Sequence, residues 1–411
     1  MQGTTRRQWL ATSATAVAGL AGCLGVGGSG EPVTVGSLLP LSGPGALGKV
    51  ASHHERAVAQ AVSHVNAAGG VNGREVVHES RDTEASPDAA ADAYSSLVDE
   101  DAVAIVGAVI SGISESLAGT AAEDGRVMLS PSSTSPALAD AGRAGDTKFF
   151  GRTCPNDRQQ AAVMAKILAD RRYADADTVG VLHLDDAFGT ALADAVAGAV
   201  EADVTDTVSF APSSEAPGDP VDAVLAAEPD AVAFVGTPGQ STSVLTELLA
   251  RQYDGEVVLS SGLLPASPGS EYTGVYTASV ATARTVGTKR LETELSDVAP
   301  LMPYTTNAYD ATMLAALAAE RAGDASPSAI AGSLRAVSGG EGHAVGVGQF
   351  ERARDVLAAG RSVNYRGASG AVDLRADLEP LASYVVERVS GGQTETLELL
   401  QRSYFTGGDG A

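Results

Sequence analysis

The chain has 411 residues, with 27 Lys plus Arg against 51 Asp plus Glu and a formal net charge of −24. Such a surface repels phosphate backbones, which excludes nucleic acid as a partner, and two cysteines exclude a disulfide-stapled scaffold. The length suits two ordinary domains and exceeds one compact one. Only Lys49, Lys148, Lys166 and Lys289 among the basic residues are lysines. Excess acid destabilises a compact state by self-repulsion unless salt screens it, so this balance points to adaptation to high salt.

At the N-terminus Thr5-Arg6-Arg7-Gln8-Trp9-Leu10 precedes an apolar run, Ala11 to Gly22, that closes on Leu20-Ala21-Gly22-Cys23. A twin arginine before an apolar residue reads as a Tat-type export address. The run is too short to span a bilayer and ends in small residues, so 1–22 reads as a removable signal peptide. Leu-Ala-Gly-Cys resembles the lipobox of bacterial and archaeal lipoproteins, which implies that Cys23 carries lipid and anchors the chain at the outer face of the membrane. Residues 23–31 are Gly/Ser-rich and read as a flexible linker. Gly25, Gly27 and Gly30 match the G-x-G-x-x-G spacing, but no strand precedes and no helix follows, so they mark no dinucleotide site.

From Val33 onward strand and helix patterns alternate. Val33 to Leu39 reads as a strand, and Val50 to Ala68 as a helix with Val58, Ala61, Val62 and Val65 on one face. Gly69 and Gly70 end it. Strands are expected over Glu75 to Glu79, Ala102 to Val106 and Val127 to Leu129, with helices over Ala89 to Asp99 and Ser114 to Glu123. A second series follows Arg152. It has helices over Asp157 to Asp170, Ala191 to Glu201, Val221 to Ala227 and Thr242 to Gln252. Its strands are Thr178 to Leu184, Thr205 to Phe210, Ala231 to Val235 and Glu256 to Ser260. The alternation predicts an α/β protein of two doubly wound, parallel-sheet lobes. Ligands of such sheets bind beyond the carboxyl ends of the strands, which singles out the loops after Val106, Leu129, Leu184, Val235 and Ser260.

Five motifs then stand in a familiar order. They are Pro40-Leu41-Ser42-Gly43 with Asn66-Ala67-Ala68-Gly69-Gly70-Val71-Asn72-Gly73-Arg74, Ser130-Pro131-Ser132-Ser133-Thr134-Ser135-Pro136, Asp185-Asp186-Ala187-Phe188-Gly189, Ala308-Tyr309-Asp310-Ala311, and Gly367-Ala368-Ser369-Gly370 before Val372-Asp373. On these the chain resembles the type 1 periplasmic binding proteins of the branched-chain amino-acid class over Val33 to Val389; with the composition, this points to a halophilic archaeal source. The resemblance implies lobe 1 from 31–152 plus 283–358, lobe 2 from 153–282 plus 361–405, and a three-crossover hinge. It implies a ligand in the cleft, release to an ABC permease with its ATPase subunits, and no bond made or broken. A monomer, no cofactor and no metal are expected.

In relatives of this class a hydroxyl after the third strand and the S-P-x-x-T turn hold the ligand's carboxylate. Carried over, these positions are Ser111, Ser132, Ser133 and Thr134, and neutral donors near a helix start suit an anion. The hydroxyls of the turn could instead only cap the helix beginning near Pro136. Phe188 matches an aromatic that covers the ligand and sits in a loop after a strand; Tyr304 matches an aromatic of the pocket wall. A lone aromatic is more often core. The tyrosine and the acidic residue that help fix an ammonium in this class fall on Thr237 and Ser261. A buried ammonium without a carboxylate is costly, so either Asp185 or Asp186 substitutes or the ligand is a related carboxylate or amide that lacks the amine; a branched-chain type amino acid remains the leading expectation.

The six histidines show no metal spacing and read as surface or satisfied core residues. Cys154 reads as a small buried residue at the first crossover. No G-x-S-x-G, P-loop or EF-hand loop occurs, and an α/β enzyme would need a nucleophile–base or metal constellation that the sequence does not show. A ligand-sensing receptor of the same fold needs the same cleft as a transport protein, so both readings remain. If salt screening sustains the acidic fold, thermal unfolding should shift upward from low to multimolar KCl; no gain in melting temperature would remove the halophilic reading.

Overall fold

The computed structural model describes residues 30–251, 253–281 and 284–406. The export signal, Cys23 and all but the end of the 23–31 linker lie outside the described residues. Among those described, no helix is long and apolar enough to cross a membrane.

The first sheet is built from β1 (Val33–Leu39), β2 (Val76–Asp82), β3 (Ala104–Val106) and β4 (Val127–Ser130), with α1 (Ala46–Ala67), α2 (Pro87–Asp99) and α3 (Ser111–Glu123) between them. A small hairpin, β5 (Arg143–Ala144) and β6 (Thr147–Lys148), leads into β7 (Phe150–Arg152). The sheet order is β2-β1-β3-β4-β7, every neighbour parallel. β1, β3, β4 and β7 are short and almost wholly buried on both faces, as the strands of a helix-covered parallel sheet must be, whereas the edge strand β2 is polar and half-buried.

The chain then forms α4 (Asp157–Ala169), β8 (Thr178–Leu184), α5 (Ala187–Ala199), β9 (Asp203–Phe210), α6 (Gly218–Leu225), β10 (Ala231–Val235), α7 (Thr242–Ala250), β11 (Glu256–Leu259) and β12 (Tyr276–Val280). It returns to the first lobe as α8 (Val286–Glu294), α9 (Thr305–Ala322), α10 (Pro327–Ser338), β13 (His343–Gly346), α11 (Phe350–Ala358) and β14 (Val363–Arg366). Finally β15 (Tyr384–Ser390) and β16 (Gln393–Leu400) complete the second sheet, in the order β16-β15-β12-β11-β10-β8-β9.

Two expectations need correction here. The sheets are not wholly parallel, because β15 runs antiparallel to both β12 and β16. Gly391 and Gly392, with φ of 57° and 74°, form the tight turn of that last hairpin. Residues 361–378 do not join the second lobe: β14 pairs with β13, and Val363, Tyr365, Ala368, Val372, Leu374 and Leu378 lie in the first core. The last crossing therefore comes between Leu378 and Tyr384, where the apolar pattern of the first core ends.

Helix α9 is the axle of the first core. From Thr305 to Ala319 it is almost wholly buried between α1 and α10, as an all-round apolar helix must be. Its one buried carboxylate, Asp310, explains two of the sequence motifs together. Asp310 Oδ1 accepts from the Tyr365 hydroxyl and the Ala368 N–H, both at 2.7 Å. Its Oδ2 accepts from the N–H and hydroxyl of Ser369, at 2.8 and 2.6 Å. The 66–74 motif is architectural in the same way. Asn66 pairs its amide with both backbone groups of Val76 at 2.8 Å, and a Cβ on Gly70 would lie 1.8 Å from the Arg74 carbonyl oxygen. Asp310→Ala strands four donors in the first core and should cost about 3 kcal/mol in chemical denaturation under high salt; a loss within experimental error would show that the 367–370 turn is held without it.

Candidate functional site

The loops after β3 and β4 meet the start of α4 and the loop before α9, at the carboxyl edge of the first sheet. Ser111 is the first residue of α3, not a loop residue, because the helix begins three residues before the expected Ser114. It is buried, and its hydroxyl bonds to no described residue. The first N–H groups of a helix have no partner within it and carry partial positive charge, so the start of α3 is built to face an anion.

The Ser130 to Pro136 turn splits into two roles. Ser132 donates to the Val109 carbonyl at 3.0 Å, and Ser133 donates to the Ala108 carbonyl at 3.1 Å. Both hydroxyls are thus engaged by the 108–109 loop, and that of Ser133 also meets the Ser114 hydroxyl at 2.8 Å. The capping task belongs to Ser135, which accepts from the Ala137 N–H at 3.3 Å. Thr134 is buried, its side chain pulls on Asp157, and its N–H donates to no described residue. Its carbonyl accepts from the Asp157 N–H at 2.9 Å, linking the turn to α4.

Asp157 is the residue that sequence reasoning missed. It is buried at the first position of α4, whose cap is already supplied by Asn156, the acceptor for the Arg158 N–H at 2.9 Å. Burial pushes its pKa up to about 6, against the opposing pull of Thr134, Arg152 and Gln160. Oδ1 accepts from Gln160 Nε2 at 3.1 Å, while Oδ2 is buried without a hydrogen-bond partner among the described residues. The other end of Gln160 accepts from the Ser261 N–H at 2.7 Å. Thus the position expected to hold an acidic residue, Ser261, is joined through one amide to an acidic residue elsewhere. A surplus acid directly after a sufficient N-cap was the only local signal.

Tyr304 takes the left-handed conformation, φ 62°, just before α9. Burial raises its phenol pKa, with further contributions from Cys154 and Asp157, which places it beside both. The loop that presents it is clamped by two histidines of α1. The Met302 N–H donates to His53 Nδ1 at 3.3 Å, and His54 Nε2 meets the Pro303 carbonyl at 2.9 Å. Facing a carbonyl, Nε2 carries the hydrogen, and burial lowers the His54 pKa to about 4, so the ring is neutral. Cys154 is buried, donates to the Ser133 carbonyl at 3.4 Å, and has its thiol pKa pushed up to about 12 by burial.

From the second lobe, Phe188 lies in the first turn of α5 rather than in a loop, and its ring is partly buried against that lobe's core. Asp186 is the cap of that helix, accepting from the Gly189 N–H at 2.7 Å, and Asp185 is exposed. Thr237 spends its hydroxyl on Gln240 at 2.9 Å and its N–H on Ser241 at 3.0 Å. The lobes touch where α3 and α5 begin: a Cβ on Gly112 would stand 3.3 Å from the Ala187 Cβ. The structure therefore brings Thr134 against Asp157, links Ser261 to it through Gln160 and sets Tyr304 in the same neighbourhood, while Ser132, Ser133 and Thr237 bond within their own loops. Among the described residues no group of histidine, cysteine or carboxylate side chains could hold a metal ion.

The family model described as Periplasmic binding protein matches residues 32–386. The chain belongs to the type 1 periplasmic binding proteins. Over 412 aligned residues, 100% of both chains, it is 55% identical to the chemotactic signal transduction system substrate-binding protein BasB of Halobacterium salinarum. It is 30% identical to a Leu/Ile/Val-binding protein homolog of Brucella melitensis over 46% of this chain and 48% of that one. A leucine-binding protein from Thermotoga maritima superposes with a TM-score of 0.69 at 22% identity, covering 90% of this chain and 99% of that chain. The solute-binding protein of an ABC transporter from R. palustris, in complex with benzoate, gives 0.70 at 17% identity, covering 90% and 96%. Ser111→Ala and Thr134→Ala should each weaken ligand binding by about 1 to 3 kcal/mol in calorimetric titration, whereas Ser133→Ala should lower thermal stability with affinity retained; the reverse pattern would defeat this division of roles.

Proposed function

We propose that the chain is an extracytoplasmic solute receptor for an α-amino acid of the branched-chain type, tethered through Cys23 after twin-arginine export. The observation that carries the ligand class is Asp157, a buried carboxylate with one oxygen unpartnered among the described residues, set beside Thr134. A carboxylate is held without a counter-charge by the start of α3 and the Thr134 N–H, and an ammonium is held by Asp157. This removes the objection raised by Thr237 and Ser261. A buried charge pair completed only by the ligand makes binding demanding, because either charge alone remains costly. The lobes close over the ligand, and the closed form is read by a membrane partner.

The partner proposed is a chemotaxis receptor, supported by the 55% identity across the whole chain to a chemotactic substrate-binding protein. Import through an ABC permease, the expectation from the sequence, is the second reading, favoured by the partial matches to Leu/Ile/Val-binding proteins. Loss of attraction to leucine, isoleucine or valine in a deletion strain, with uptake of the labelled amino acids unchanged, supports the first; the opposite pair of results supports the second.

The ligand reading has its own pH signature. The ammonium is charged throughout the acid range, whereas Asp157, with its pKa pushed up to about 6, becomes the required anion only above that value. Affinity for leucine should therefore be full above about pH 7 and fall as the pH drops through 6. Asp157→Asn should bind at least ten-fold more weakly at neutral pH and lose the titration. A titration that survives the substitution would show that another group governs it.

A further inference from the structure

The turn that carries Thr134 is shaped from behind. Arg152, the last residue of β7, is 0% exposed, and its Nη1 donates to the carbonyls of Ser133 and Ser135, both at 2.8 Å. Its Nη2 donates to Oε1 of Glu379, whose Oε2 accepts from the Asn156 amide at 2.9 Å. Glu379 comes from the segment between Leu378 and β15, so the guanidinium is gripped on one side by the binding turn and on the other by the last crossover.

The peptide between Ser133 and Thr134 is trans, and in a trans peptide the carbonyl and the following N–H point in opposite directions. Holding the Ser133 carbonyl against the guanidinium therefore turns the Thr134 N–H away from Arg152, and no described residue accepts it. A cation on the carbonyl end also polarises the peptide, which strengthens the N–H as a donor on its other side. A planar fork reaches both carbonyls and Glu379 at once; an ammonium on a flexible stem does not reproduce that geometry.

We propose that Arg152, fixed by Glu379, is the positioning residue for the ligand carboxylate, aiming the Thr134 N–H at it. The proposal rests on the reading above that a carboxylate sits between Ser111 and Thr134. Arg152 touches no ligand itself; its effect passes through one peptide group.

The test compares leucine with isoamylamine, which is leucine without its carboxylate, by titration calorimetry in high salt. Wild type, Arg152→Lys and Glu379→Gln are measured, with melting temperatures followed in parallel. Both variants should lose roughly ten-fold or more of the preference for leucine, as expected for one misdirected hydrogen bond to a charged group, while affinity for the amine stays within about two-fold. A merely structural role would lower both affinities together and leave the preference intact, which would overturn the proposal. Glu379→Gln keeps an acceptor for Nη2 and is the milder variant; if Arg152→Lys does not fold, an unchanged preference in Glu379→Gln overturns the proposal alone. A wild type that does not prefer leucine removes the carboxylate reading and this proposal with it, whereas a normal wild type with normal variants removes only the role of Arg152.

Discussion

The buried ion pair between Arg152 and Glu379 is the constraint on which the hinge depends. Taking two charges out of water costs several kcal/mol per ion, and only good geometry with further hydrogen bonds offsets it. Further hydrogen bonds are present, since two carbonyls take Nη1 and Asn156 takes the second oxygen of Glu379, while Nε of Arg152 has no partner among the described residues. The residues involved come from four places, namely the end of β7, the turn after β4, the cap of α4 and the last crossover. Reciprocal bonds between Thr153 and Asn307, at 2.9 and 2.8 Å, tie the start of α9 to the same point. A single buried charge pair thus fixes the first and last crossovers relative to the turn that faces the ligand, and removing either partner would leave the other charge uncompensated.

Much of the fold was legible because its strands are short, apolar and bounded by turn residues. The strands Val33–Leu39, Thr178–Leu184 and Ala231–Val235 stand where the apolar runs end. Helix starts were less visible. α3 and α5 begin three and four residues earlier than their apolar period suggests, since their first turns, rich in Ser, Gly and Thr, carry no amphipathic mark. That shift matters, because it moves Ser111 and Phe188 from loops onto helix termini. The antiparallel pairing of β15 with β12 was invisible for a different reason, because direction between distant strands is set by tertiary contact, whereas Gly391-Gly392 does mark the β15–β16 hairpin.

The site was legible in part. Hydroxyls in a turn cannot be told apart by type, so Ser132, Ser133 and Thr134 looked equivalent until their hydrogens were traced to Ala108 and Val109. Asp157 looked like an ordinary helix-start acid, favourable to the dipole and needing no further reason. His53 and His54 looked idle and are instead the clamp on the loop that presents Tyr304. The motifs most useful for recognising the chain lie largely away from the ligand. The 66–74 turn, Asp310 and the 367–370 turn build the first lobe, and they are distinctive because buried polar groups must be satisfied residue by residue.

The net charge then explains why the site takes the form it does. At −24 the surface repels a carboxylate at low ionic strength, while at 1 M salt the screening length is about 3 Å, and exposed charges neither repel nor steer over useful distances. Recognition under such screening must come from groups that salt cannot reach. Backbone N–H groups at the start of α3 and beside Arg152 are of that kind, as is the buried carboxylate of Asp157. Surface lysines would not be, and the chain has few. Under the high-salt reading, an acidic exterior and a site of desolvated donors are two consequences of one condition: the exterior would need counter-ions to remain folded, and the interior would need to exclude them to bind.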